Sequence, residues 1–128
     1  MVRRQLALLV LPLVLFFSGC AARPIHPGAA NSFDSNAYDA LLVTDSVIQS
    51  TKADLTNNVF SATVSASVKT ALNNLITAYD VADVAYVAYH SAALSAAGAT
   101  AAQQTAVTTS LNSVSTSTTA LVTAKAGK

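Results

Sequence analysis

The sequence predicts an all-α protein: an antiparallel up-down-up three-helix bundle behind an N-terminal export and anchoring segment. Three observations carry that prediction. After residue 33, apolar residues recur at steps of three and four, the spacing of one helix face. Asn57-Asn58 and Gly98 interrupt the pattern with residues that tolerate the backbone of a helix end. The gaps between the periodic stretches are short, so neighbouring helices must run antiparallel.

The chain opens Met1-Val2-Arg3-Arg4-Gln5, short and basic, and then runs from Leu6 to Phe17 without a charge. As a helix that run spans about 18 Å, too little for a hydrocarbon core of about 30 Å. A basic start, a brief apolar core and small residues behind it form a secretory signal, expected over residues 1–19.

Phe17-Ser18-Gly19-Cys20 closes the run and contains the sole cysteine of the chain. The tetrapeptide resembles the lipobox of bacterial lipoproteins, and the resemblance covers residues 1–20. It implies that the Cys20 thiol is joined to diacylglycerol, that the signal is cut just before it, and that the new N-terminus is acylated. Ser18 and Gly19 fit this use because small side chains leave the backbone open to a peptidase. A single acyl chain holds a protein only marginally, whereas two or three hold it firmly. A free thiol or an intermolecular disulfide are the other uses of a lone cysteine; position directly behind a signal favours lipidation. The expected partner is therefore a membrane, through diacylglyceryl and N-acyl chains on Cys20. Ala21 follows instead of the Asp that, in this class, retains proteins at the inner membrane. The resemblance thus implies the periplasmic face of the outer membrane in a two-membrane cell. In a single-membrane cell it implies the outer face of the cytoplasmic membrane.

Residues 20–32 then read as the lipidated cysteine and a flexible tether. Pro24 and Pro27 push Arg23 and His26 toward extended backbone, and no periodicity is present. The tether reaches about 40 Å when fully extended. His26 is expected to be a solvated linker residue.

The helical domain, residues 33–128, begins with a helix expected over 33–56. Its stripe is Phe33, Ala37, Leu41, Thr44, Ile48, Thr51 and Leu55. Asn31 or Ser32 can cap it, and Asp34 and Asp39 suit the positive end of its dipole. A second helix is expected over 59–97. Phe60, Ala62, Val64, Ala66 and Val68 alternate with Ser and Thr like a strand, but Phe60, Val64, Val68 and Leu72 also step by four. The pattern continues to Ala93, far beyond strand length, which favours helix. Val81, Val84 and Val87 make this helix apolar on more than one face, as suits the middle of a bundle.

The third helix is expected over 101–125. Thr100 with Gln103 forms a capping box, and the stripe is Gln104, Val107, Leu111, Val114, Thr118 and Leu121. Lys125 lies in its last turn, with Gly127 just past it. Alanine, serine and threonine dominate all three helices, so the core is thin. Self-association or a protein partner is expected to complete it.

Composition excludes more than it assigns. The mature cations Arg23, Lys52, Lys69, Lys125 and Lys128 nearly balance the six aspartates, and they form no basic cluster, so no nucleic-acid footprint exists. The chain has no Glu and no Trp, and its histidines are His26 and His90 alone. No metal-ligand spacing, phosphate loop or nucleophile motif occurs. Neither a cofactor nor enzymatic activity is expected. His90 reads as an exposed helix residue, and Asp80 with Asp83 as a solvated polar face.

Tyr79, Tyr86 and Tyr89 are the one unusual constellation, with Asp83 and His90 beside them. Tyrosine combines a large apolar body with a polar tip and suits bundle edges and partner surfaces alike. The expected function is that of a lipid-anchored cell-envelope protein acting as a structural or protein-interaction module. The alternative is a small-ligand- or signal-binding module with a pocket near the tyrosines.

Overall fold

The computed structural model describes residues 25–127. Among them are three helices: α1, Ser32–Thr56; α2, Ala62–Ala93; and α3, Ala101–Ala126. The all-α up-down-up bundle expected from the periodicity is the fold found. The proposed signal, the lipobox Phe17-Ser18-Gly19 and Cys20 lie outside the described residues.

The middle helix organises the bundle. α2 packs along α3 over most of its length and against α1 less extensively, while α1 and α3 barely touch. Val68, Leu75, Ala82, Val107 and Leu121 are fully enclosed at the seams. The core also contains buried threonines. Thr44 and Thr51 on α1 and Thr118 on α3 donate their hydroxyls to carbonyls four residues earlier, at 2.8, 2.8 and 2.9 Å. Each polar group is thereby satisfied inside its own helix, and the side chain's methyl group is left free to pack. This is how so threonine-rich a sequence closes a core.

The helix ends follow local chemistry. Asn57 and Asn58 build a Schellman stop: the Asn58 amide donates to Leu55 O and the Val59 amide to Asp54 O, with Asn58 at φ 54°. That stop consumes Val59, so α2 begins at Ala62 behind the Ser61 cap instead of at 59. No strand forms over 59–68, and residues 62–68 are helical.

α2 also ends earlier than the expected 97. The Ser95 amide and hydroxyl both turn back to Ala92 O, at 3.0 and 2.7 Å, which closes the last turn at Ala93. Gly98, at φ 71°, serves the following turn, where a side chain would be strained. α3 starts on the capping box anticipated at Thr100 and Gln103, with both halves formed.

A clasp closes the end of the bundle opposite the start of α1. Lys125 Nζ donates to Asp54 Oδ2 at 2.8 Å and lies 5.8 Å from the Phe60 ring centroid. It ties the last turn of α3 to the last turn of α1.

The segment expected to end the flexible tether is folded against the start of α1. His26-Pro27-Gly28-Ala29 makes a turn in which the Ala29 amide donates to His26 O at 3.0 Å, with Gly28 at φ 89°. Proline followed by a positive-φ glycine is the composition of a type II turn. The turn returns the chain onto α1, where the His26 amide donates to Ser35 Oγ at 2.9 Å.

Candidate functional site

The site grows out of the cap of α1. Asn31 Oδ1 accepts from the Asp34 amide at 3.0 Å, and Asp34 Oδ2 accepts from the Ala30 amide at 2.8 Å. These two reciprocal bonds lock the first turn much as a capping box does. They also hold the Asp34 carboxylate inside the protein with no exposure.

The antiparallel register brings the last turns of α2 to this point. His90 Nδ1 lies 2.7 Å from Asp34 Oδ2, and Asn31 Nδ2 donates to the Tyr89 hydroxyl at 3.1 Å. Asp34 Oδ1 has no hydrogen-bond partner. A buried carboxylate with one free oxygen is costly, and it persists here because its neighbours fix it.

Outside this pair lies a run of rings. His26 meets Tyr38 edge-on at 4.9 Å and 74°, Tyr38 approaches Tyr86 at 6.2 Å, and Tyr86 stacks on His90 at 5.6 Å and 29°. His26 Nε2 is 2.8 Å from Asp39 Oδ1, so each imidazole is oriented by its own carboxylate. The four rings and Pro27–Ala29 line an open cleft of about 240 Å³. The Tyr86 hydroxyl is pushed up to about 12, first by burial and then by the neighbouring Asp34 carboxylate.

No family model matches this chain. Neither a curated protein nor a solved structure matches it. The geometry of the site is therefore what bears on its use.

The expected site residues are divided by the fold. Tyr89 is buried, with its ring edge-on to Phe33 at 4.9 Å, and it is not part of an accessible surface. Tyr79 and Tyr86 are half-buried, and of the two only Tyr86 lines the cleft. Tyr79 sits among Asp83, Asp45 and Asp80, and its pKa is raised, mainly by burial and then by those charges. Of the pair expected to form a solvated face, Asp80 is exposed and Asp83 is half-buried.

His90 corrects the expectation of an exposed residue. It is half-buried, because the start of α1 covers this turn of α2. His26 likewise is held by Asp39 and Ser35. Among the described residues, no group of three His, Cys, Asp or Glu side chains converges as a metal site. No described helix is long and apolar enough to cross a membrane.

Sequence reasoning did not find Asp34, Asp39 or Tyr38 as site residues. The available signal was Pro27-Gly28, which places a turn ahead of α1 and returns His26 to the helix it precedes.

Proposed function

We propose that this chain is a lipid-anchored protein of the cell envelope that acts without catalysis, as an interaction module held at a membrane through Cys20. The observation that carries the reading is the sequence itself: a basic start, a short apolar run, then Phe17-Ser18-Gly19-Cys20. Where the cell has two membranes, Ala21 favours the outer one.

The fold is compatible with that use and gives it a geometry. His26 is held to the bundle only six residues after Cys20, a reach of about 20 Å. An acylated Cys20 would therefore keep the His26–His90 end of the bundle close to the lipid. The surface on offer to a protein partner is the outer face of α2, where Val81, Val84 and Val87 are more than half exposed. Valines in such a row suit a shape-complementary contact better than a solvated face.

The test is mass spectrometry of the chain expressed in a bacterial host, with a Cys20→Ser variant beside it. The expected result is a mature N-terminus at Cys20 carrying diacylglycerol and partitioning into detergent, both lost in the variant. An unmodified chain that retains residues 1–19 would refute the reading.

A further inference from the structure

We propose that the cleft between His26, Tyr38, Tyr86 and His90 is a binding site for an organic ammonium group. The inference does not depend on the lipid anchor. It stands on ring geometry and on where the charges fall along the bundle.

The walls are aromatic. Three successive ring contacts, at 74°, 42° and 29° between planes, link the four rings that line the cleft, and Pro27–Ala29 line it with them. Tyrosine faces carry negative quadrupole density and attract cations placed over them, and Tyr38 and Tyr86 are the two such rings lining the cleft. The cleft, about 240 Å³ and open to solvent, has room for several waters. A trimethylammonium or ethanolammonium head fits within that space.

The surrounding field has the matching sign. Asp39 holds His26, and Asp34 holds His90. Asp83 also acts on Tyr86, and Asp45 and Asp80 stand around Tyr79 further along the α1–α2 seam. Three carboxylates, Asp34, Asp39 and Asp83, thus stand beside the cleft against two imidazoles, and among the described residues no lysine offsets them there. The described lysines, Lys52, Lys69 and Lys125, lie toward the opposite end, where Lys125 is engaged by Asp54.

The second observation is inside the wall. Asp34 is fully enclosed, and its Oδ1 is unpartnered behind the two rings, Tyr86 and His90, that it adjoins. The Ala30 amide and His90 meet Oδ2 and the Tyr86 hydroxyl stands beside the carboxylate, which leaves Oδ1 as the oxygen without a bond of its own. A cation over those rings supplies what the fold leaves out, through a short path of low dielectric. An anion would be repelled, and a bare metal ion would lack a converging ligand set.

An ammonium group reaches the cleft either on a free molecule or on the head of a membrane lipid. The experiment uses the full chain in maltoside micelles, with saturation transfer to the methyl protons of choline and a competition titration with ethanolamine. Saturable binding in the millimolar range or tighter is expected. Tyr38→Leu keeps the apolar bulk without the aromatic face, and it should weaken binding about fivefold or more. Tyr38 lies at the surface, so helicity by circular dichroism should be unchanged in that variant.

A parallel arm compares flotation with vesicles of phosphatidylcholine and of phosphatidylglycerol. Preference for phosphatidylcholine assigns the lipid head as the source, and equal flotation beside choline binding assigns a free ligand. Absence of saturable choline binding, binding unaffected by Tyr38→Leu, or equal competition by acetate overturns the proposal.

Discussion

Asp34 and His90 are 56 residues apart in sequence, yet His90 Nδ1 lies 2.7 Å from Asp34 Oδ2 with the carboxylate wholly out of solvent. The pair joins the first turn of α1 to the last turn of α2. Its stability follows from what each partner would leave behind.

Removing His90 leaves a buried carboxylate with only the Ala30 amide and the neighbouring Tyr86 hydroxyl to meet its charge. His90→Ala should therefore destabilise the bundle by about 3 kcal/mol in urea unfolding. Adding Asp34→Ala should recover part of that loss, because the orphaned charge goes with it. A double variant less stable than His90→Ala alone would show that the pair is not what holds this end.

Asn31 both caps α1 and donates to the Tyr89 hydroxyl. Asn31→Ala should cost about 1–2 kcal/mol, the sum of a lost cap and a lost part-buried bond. Tyr89→Phe removes the second part alone and should cost about 1 kcal/mol. Thermal unfolding of the two variants checks the order, Asn31→Ala being the less stable.

The Tyr86 hydroxyl sets an alkaline limit. Its pKa is raised from 10.0 to about 12, so folding favours the protonated phenol. The contribution of that group is complete below about pH 10 and is lost as pH rises through about 12. Unfolding midpoints measured across that range should fall in the wild type. In Tyr86→Phe this part of the decline should be absent, leaving only that of the remaining tyrosines.

Lys125 and Asp54 retain partial exposure, with side chains at 26% and 33%. Their bond is accordingly worth little, about 0.5–1 kcal/mol, and salt should weaken it. Lys125→Met should show that loss at low ionic strength and a smaller one at high salt. A salt-independent loss would assign the effect to packing on Phe60 instead.

The sequence made the helices legible because their stripes are continuous. Leu41, Thr44, Ile48 and Thr51 on α1 and Val107, Leu111, Val114 and Thr118 on α3 are all buried, as their spacing requires. Helix ends were legible where one cap decides them, as at Thr100 with Gln103. They were not legible where a stop borrows residues from its neighbour, as the Schellman bond to Asp54 borrows Val59. The site was hidden for a different reason. Asp34 reads as an ordinary first-turn acid and His90 as an ordinary surface residue until the register of α1 against α2 is known. Register comes from tertiary contact, and periodicity is blind to it.

The buried threonines carry a consequence for that register. Because Thr44 and Thr51 donate their hydroxyls within their own helix, their methyl groups pack like the leucine, isoleucine and alanine beside them, and only Thr51 also accepts from Lys125. A face of such residues repeating every seven positions looks nearly the same to its neighbour after a slide of two turns. Along its middle, α1 is therefore aligned by side-chain shape alone, with no polar bond to α2. The polar contacts at its two ends are what make one alignment unique, and a chain deprived of both would be expected to populate shifted bundles instead of unfolding outright.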